Sequence, residues 1–148
     1  MSAAQLPGEK LTSRPESVHA NDGLRLHGCR ITNAVKCLPP DNKPLPEEVR
    51  RCNAYLRAEL LDLGRESAVL ALGNIAHKAV LMALGLRQSA YAFAHGSRHE
   101  LPFGLVLFDS YHCSRYNTQT KRLTESMFNQ VFSDIVKYLS KIRKKPRP

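Results

Sequence analysis

The chain has 148 residues, of which 43% are hydrophobic and 24% are charged, which suffices for one domain with its own core. It contains neither an apolar run long enough to span a membrane nor a signal peptide, so we expect a cytoplasmic protein without membrane spans. The formal net charge of +9 favours a polyanionic partner, since neutralising phosphates releases their counterions.

The positive charge is unevenly distributed along the chain. Basic tails are often only solvated, so the net charge alone indicates nucleic acid only weakly. Six basic residues crowd the C-terminus: Lys137, Lys141, Arg143, Lys144, Lys145 and Arg147.

Composition predicts three regions in the chain. Residues 1–15 lack periodicity and are expected to form a loose arm. Residues 16–142 are predicted to form one domain, and residues 143–148 a basic tail. Within the domain, Asn21-Asp22-Gly23 predicts a turn.

The first predicted elements are a strand and a helix. Cys29–Cys37 is rich in β-branched residues and predicts a strand that ends in a loop. Four prolines follow between residues 38 and 46 and forbid regular structure. A helix is expected from Pro46 to about Gly64, with Leu45 as a weak N-cap. Its apolar residues recur at helical spacing: Val49, Cys52, Leu56, Leu60 and Leu63.

A second strand and helix follow. Ser67–Gly73 is a short apolar run that predicts a fully buried strand of a parallel sheet. Asn74 is predicted to cap a helix that ends at Gly85. Residues 89–102 are expected to form a longer loop.

A third strand, at Leu105–Phe108, opens into a polar loop, Tyr111–Thr124, and the last helix begins near Thr124. Its apolar positions follow the helical period: Phe128, Val131, Phe132, Ile135, Tyr138, Leu139 and Ile142. Strands that alternate with helices predict an α/β fold with a mostly parallel sheet covered by helices.

The polar loop is the predicted functional site, because open α/β folds place their sites where strands end. It carries one imidazole, small hydroxyls, an amide and two guanidiniums, a mixture that suits a phosphate-bearing ligand with one reacting centre. A single histidine at a strand end is more often structural than catalytic, so the loop composition alone leaves both interpretations open.

Several motifs occur in a fixed order along the chain: Thr32–Cys37, Asn42-Lys43-Pro44, Pro46-Glu47-Glu48 with Cys52, Val69–Gly73, Tyr111-His112-Cys113-Ser114, Asn117-Thr118 and Arg122-Leu123-Thr124. Together they resemble the iron–sulfur uracil-DNA glycosylases, and the final loop resembles their thermophile-type, type-b branch. The resemblance covers roughly residues 14–139 and implies a uracil-DNA glycosylase-like three-layer sandwich that lacks the family's first central strand.

The resemblance implies roles for two side chains. Asn33 matches the asparagine that reads the Watson–Crick edge of a flipped uracil, for which an amide offers one donor and one acceptor. His112 matches the histidine that stabilises negative charge on uracil O2 while the glycosidic bond breaks. We expect both side chains to converge on one extruded base.

Three further loop residues match positions suited to DNA backbone phosphates: Ser114, Asn117 and Arg122. Local hydrogen bonds within the loop are an equally good interpretation, and both can hold together. The loop departs from the family pattern at Cys113, Tyr116 and Lys121, where Pro, Gln and Gly are expected.

The chain has four cysteines, none in a C-x-x-C pair, and reduced thiols are expected for all of them. By resemblance, Cys37 and Cys52 match two of the four ligands of a [4Fe–4S] cluster. Cys29 and Cys113 match no ligand position.

One segment of the family pattern has no match before Asn33. It contains the first two cluster cysteines, the glycine-rich loop that positions the attacking water, and the first central strand of the sheet. We therefore expect an absent or incomplete cluster and doubtful glycosylase activity in this chain alone.

Three functional hypotheses remain open. The first is a monomeric uracil-DNA glycosylase that acts on uracil or related deaminated bases. The second is an inactive remnant of the same fold that still binds DNA, and the third is a gene remnant without function.

Overall fold

The computed structural model describes residues 21–23, 25–34 and 45–144, and the statements below refer to those residues. The chain divides into two compact units, Met1–Thr32 and Asn33–Pro148. In the first unit, the described residues form the predicted turn at Asn21 and Asp22 and an isolated bridge at Leu26. The predicted arm lies outside the described residues, and the boundaries at residues 15 and 142 stay predictions.

Helix α1 spans Pro46–Leu61 and begins where it was predicted. The Glu48 carboxylate accepts a hydrogen bond from the Leu45 backbone N–H at 2.8 Å, which compensates for an N-cap residue without an acceptor. The helix ends before Gly64, so the predicted end is slightly late.

Two side chains of α1 fasten this helix to the next one. The Asn53 amide, which is 7% exposed, donates a hydrogen bond to the Ala79 carbonyl oxygen at 2.8 Å. Arg57 donates to the Ala83 carbonyl oxygen at 3.2 Å. A buried amide that is paired in this way fixes the register of one helix against the other.

Strand β1, Ser67–Leu72, leads directly into helix α2, Asn74–Ala83. The N-cap position is Gly73, so the prediction of Asn74 as the capping residue is wrong by one position. The predicted end at Gly85 is confirmed: its φ is +68°, and Leu86 N–H donates to the Leu81 carbonyl oxygen at 2.8 Å. This is the Schellman arrangement that glycine favours.

Strand β3, Leu105–Ser110, lies at the centre of a three-stranded sheet with the order β1-β3-β2. It pairs in parallel with β1 over six residue pairs, from Ser67 opposite Leu105 to Leu72 opposite Ser110. It pairs antiparallel with β2, Arg98–Glu100. Among the described residues the sheet is therefore mixed, with six parallel and three antiparallel residue pairs, which agrees with the predicted α/β class and adds an antiparallel edge strand that was not predicted.

One strand was missed from the sequence and one was predicted wrongly, for different physical reasons. Strand β2 was missed because Arg-His-Glu is short, polar and without an apolar alternation. The strand predicted at Cys29–Cys37 is wrong over residues 29–34, which form no strand, and residues 35–37 lie outside the described part of the chain. β-Branched residues favour strands only where a neighbouring strand is available to pair with them.

Alternate side chains of β3 belong to two separate hydrophobic clusters. Leu105 and Leu107 lie in a cluster with residues of α1 and α2, including Leu56 and Leu81. The side chains between them, Val106 and Phe108, pack with Val131, Ile135 and Tyr138 of the last helix. This alternation follows from the two-residue period of a strand, and it places hydrophobic contacts on both faces of β3.

Two helices follow β3. Helix α3, Arg115–Gln119, is a short element inside the predicted loop and was not predicted. Helix α4, Glu125–Arg143, has the predicted N-cap, because the Thr124 hydroxyl accepts a hydrogen bond from Met127 N–H at 3.2 Å. Within the described ranges, none of the helices has the length and apolar character needed to cross a bilayer.

Candidate active site

His112 lies just beyond the carboxyl end of β3, beside the turn that connects β1 to α2. Gly73 N–H donates to the Ser110 carbonyl oxygen at 2.8 Å, which continues the parallel pairing into this turn. A Cβ built on Gly73 would lie 3.3 Å from His112 Cβ. The His112 side chain is exposed, so its imidazole stands at the open edge of the sheet and is accessible to a ligand.

The loop after His112 is closed by its own hydrogen bonds. The Asn117 amide donates to the His112 carbonyl oxygen at 2.8 Å. The Ser114 hydroxyl accepts from Asn117 N–H at 3.4 Å and thereby caps α3. Leu123, 3% exposed, donates from its N–H to the Asn117 carbonyl oxygen at 3.0 Å and anchors the end of the loop. Asn117 therefore connects His112, two residues after β3, to Leu123, two residues before α4.

These bonds bear on the predicted roles of Ser114, Asn117 and Arg122. For the first two, the interpretation as local loop bonds is confirmed, while phosphate contacts stay a prediction. The Arg122 guanidinium carbon lies 4.9 Å from the centre of the Tyr111 ring, and the residue is exposed. Stacking orients the guanidinium without using up its hydrogen-bond donors.

A buried polar network, missed from the sequence, lies in the strand that leads to His112. His77 Nδ1 is 2.8 Å from Asp109 Oδ1, and its Nε2 is 2.9 Å from the Tyr91 carbonyl oxygen. His99 Nε2 is 3.1 Å from Asp109 Oδ2. Because a carbonyl oxygen can only accept, His77 donates to Tyr91 from Nε2. The network ties α2, β2 and the loop at Tyr91 to β3.

The same three side chains, His77, His99 and Asp109, are the group among the described residues that could hold a metal ion. Their ligand atoms lie within 4.8 Å of one another, and two imidazoles with a carboxylate form a donor set that suits several divalent metals. Each imidazole, however, bonds to a different carboxylate oxygen at hydrogen-bond distance. We interpret the group as a complete hydrogen-bond network. The sequence signal for this network was Asp109, a carboxylate that directly follows the apolar residues of β3.

Asn33 is exposed and precedes Ala34, which packs against the cluster formed by α1, α2 and β3. The backbone around it is not a strand, so Asn33 is not presented by a strand tip as the sequence predicted. The convergence of Asn33 and His112 on one base stays a prediction.

The cysteines differ in their states. Cys29 and Cys113 are not in disulfides, which agrees with the predicted reduced state. Cys52 is 2% exposed and disulfide-bonded, with a partner outside the described residues, so the expectation of a reduced thiol is wrong there. A sulfur atom in a disulfide is not a thiolate, so Cys52 in this state does not ligate a cluster.

The fold and the loop define an α/β protein whose candidate ligand site lies at the carboxyl ends of its parallel strands. An exposed imidazole and a stacked guanidinium line this edge. Residues 6–136 match the uracil DNA glycosylase superfamily, and the chain belongs to this family.

Curated relatives agree with the predicted branch. The chain is 49% identical over 124 residues to the type-5 uracil-DNA glycosylase of Thermus thermophilus, covering 84% of this chain and 56% of that protein. It is 42% identical over 121 residues to the type-5 enzyme of Pyrobaculum aerophilum, covering 82% and 52%. A type-4 uracil-DNA glycosylase of Archaeoglobus fulgidus is 34% identical over 83 residues, covering 55% and 41%.

The resemblance to the type-b branch is confirmed by these matches. The chain spans about half the length of the curated relatives that it matches.

Proposed function

We propose that this chain is a uracil-DNA glycosylase of base excision repair, which hydrolyses the N-glycosidic bond of uracil or a related deaminated base in DNA. One observation carries the proposal: an exposed His112 stands beside Gly73 at the end of two parallel strands, and Asn117 holds its backbone. The names of the type-5 relatives support the same activity.

The proposed mechanism uses two side chains on an extruded base. The Asn33 amide pairs with the edge of the uracil, donating to O4 and accepting from N3–H. The His112 imidazole donates a hydrogen bond to O2, where negative charge develops as the bond to deoxyribose breaks. A donor that is already in place stabilises this charge without reorganisation, and the bound base itself excludes water from the contact.

The DNA backbone is proposed to contact the loop after β3. Arg122 stands over the Tyr111 ring with its donors available, and the chain carries a formal net charge of +9. Ser114 and Asn117 offer additional polar atoms beside His112. Phosphate contacts at these residues would set the register of the duplex, while base recognition falls to Asn33.

We also propose a finer description of the domain. Its three layers would be α1 with α2, the sheet, and α4, as in a three-layer sandwich. The support is the alternation along β3, whose successive side chains join two different hydrophobic clusters. Residues 16–142 are the proposed extent of this domain.

The described residues do not by themselves fit a [4Fe–4S] cluster. Such a cluster takes four ligands, usually thiolates. Cys52 is the only predicted ligand among the described residues, and Cys29 and Cys113, which are not in disulfides, match no ligand position. We propose that Cys37 and Cys52, when both are reduced, are half of a ligand set and that the cluster is absent or incomplete in this chain. No step of the proposed reaction depends on it.

The proposed place of action is the cytoplasm, since the relatives come from bacteria and archaea, whose genomes lie there. A monomer is the proposed state, because one flipped base requires one pocket.

Replacing His112 with Ala tests the proposal. We expect cleavage of a uracil-containing oligonucleotide under single-turnover conditions to fall by about 10²–10³-fold, the usual cost of losing one such donor. DNA affinity, measured by fluorescence anisotropy, should change little, because His112 acts on the leaving base. Gln88→Ala, an exposed change outside the loop proposed to contact DNA, serves as the control.

Equal losses of cleavage and of affinity in His112→Ala would contradict the assigned role. Binding without cleavage by the unmodified chain would instead favour the alternative of an inactive DNA-binding protein.

A further inference from the structure

We propose that His95 is a positioning residue for His112 and Arg122, a role that rests on the proposed glycosylase function. His95 lies in the loop between α2 and β2 and matches none of the predicted site residues. Its ring contacts the backbone immediately before His112 and the aromatic ring on which Arg122 stands. One side chain thus supports both the group proposed to act on the base and the group proposed to bind DNA.

The first contact is a hydrogen bond to the backbone. Tyr111 N–H donates to His95 Nδ1 at 3.1 Å, and the Ser110 hydroxyl lies 3.4 Å from the same nitrogen. A backbone N–H can only donate, so Nδ1 must present its lone pair and a neutral ring carries its proton on Nε2. Tyr111 directly precedes His112, so this bond fixes the direction in which the chain leaves β3.

The second contact is a ring stack. The His95 and Tyr111 rings lie 5.0 Å apart between centroids at an angle of 25°. The guanidinium carbon of Arg122 lies 4.9 Å from the centre of the same Tyr111 ring. If the Tyr111 ring rotated, Arg122 would lose its support, so the stack on His95 also orients the arginine.

The backbone around His95 is itself fixed to β3. Gly96 N–H donates to the Asp109 carbonyl oxygen at 2.9 Å, and Asp109 N–H donates to the Ser97 carbonyl oxygen at 3.0 Å. Ser97 N–H closes a turn onto the Ala94 carbonyl oxygen at 3.0 Å. The φ of Gly96 is +80°, a conformation that glycine adopts without strain. The buried Asp109 is held by two imidazoles, so His95 stands on a rigid support.

Two substitutions separate the two contacts. In His95→Asn, the side-chain amide oxygen can accept from Tyr111 N–H at the place of Nδ1, but the ring stack is lost. In His95→Phe, the ring stack is retained and the acceptor is lost. The matched control is Gln88→Ala, which changes an exposed residue of the same loop.

We expect His95→Phe to lower the single-turnover rate constant of cleavage by roughly tenfold, as for one lost hydrogen bond, with little change in DNA affinity. His95→Asn should retain this rate constant and weaken DNA binding by several-fold, since Arg122 loses its support. A merely structural role would lower both quantities together in both variants, and that outcome would overturn the proposal.

Amide hydrogen exchange at Tyr111 separates failure of this inference from failure of the proposed function. His95→Phe should accelerate exchange of this N–H, whereas His95→Asn and Gln88→Ala should not. If the unmodified chain does not cleave uracil DNA but this exchange pattern is found, the glycosylase proposal fails and the positioning of the loop by His95 stands. Unchanged exchange in His95→Phe would overturn the positioning role whatever the activity.

Discussion

At the residue scale, Gly73 shows how closely the backbone approaches the proposed catalytic histidine. Its φ is +93°, and a Cβ there would lie 3.3 Å from His112 Cβ. Both the backbone conformation and the available space therefore favour glycine.

Replacing Gly73 with Ala should lower the free energy of unfolding by about 1–3 kcal/mol, the usual cost of a strained backbone position. Cleavage should fall further than stability explains, because the new methyl group displaces His112. Urea denaturation and single-turnover cleavage measure the two effects. Gly64→Ala is the control, since nothing lies within 4 Å of a Cβ at that position. Unchanged cleavage in a destabilised Gly73→Ala protein would argue against the contact.

The motifs identified residues of the candidate site, but they did not identify the residues to which these are hydrogen-bonded. His112 and Asn117 were singled out from the loop, but the amide-to-carbonyl bond between them could not be read from the sequence. His77 and Asp109 were missed because hydrogen bonds between distant residues leave no periodic pattern. Likewise, Asn33 was expected at a strand tip, yet residues 29–34 form no strand.

At the scale of elements, long apolar periodicity was the reliable signal. Helices α1, α2 and α4 and strands β1 and β3 were predicted because their burial repeats at 3.6 residues or extends over a continuous apolar run. Strand β2 and helix α3 were not, because each is short and is held by its neighbours rather than by its own pattern.

The contact between α4 and β2 predicts a pH effect. Burial raises the pKa of Tyr138 above its ordinary value of 10.0, helped by Glu66 and Glu100 and opposed by Arg98, whose guanidinium lies 4.8 Å from the ring. A raised pKa in the folded state means that stability is fully present below pH 10 and declines as the pH rises beyond it.

The variant Tyr138→Phe should therefore lose less stability than the unmodified chain between about pH 8 and about pH 10.5. Urea denaturation at the two pH values measures this difference. Other tyrosines and lysines titrate in both proteins and serve as an internal control. Parallel losses in the two proteins would show that Tyr138 does not contribute.

At the scale of the whole molecule, net charge indicated a polyanionic partner only weakly, the alternation of strands and helices indicated an α/β domain, and motif order indicated the family. Length and charge could not supply the arrangement of the sheet, because an antiparallel strand of three polar residues adds almost nothing to composition. Nor could they supply the state of Cys52, which depends on which sulfur atom comes near it in the folded chain.

The proposal that the [4Fe–4S] cluster is absent or incomplete concerns all four cysteines of the chain. Anaerobically purified protein should show no full iron–sulfur absorbance band and less than one [4Fe–4S] cluster per chain, because only two of its four cysteines match ligand positions of the family. Metal analysis together with the absorption spectrum measures this. The variant Cys29→Ser, at a position that matches no ligand, should behave identically. A complete cluster in the unmodified chain would refute the proposal.

The hydrogen bonds that close the loop between His112 and Leu123 have a consequence for recognition. Because α3 is capped by Ser114 and Asn117 spans the loop, the conformational entropy of this segment is already lost when the protein folds. DNA would then meet a surface that needs little further ordering, so more of the contact energy remains for bending the duplex and extruding a base.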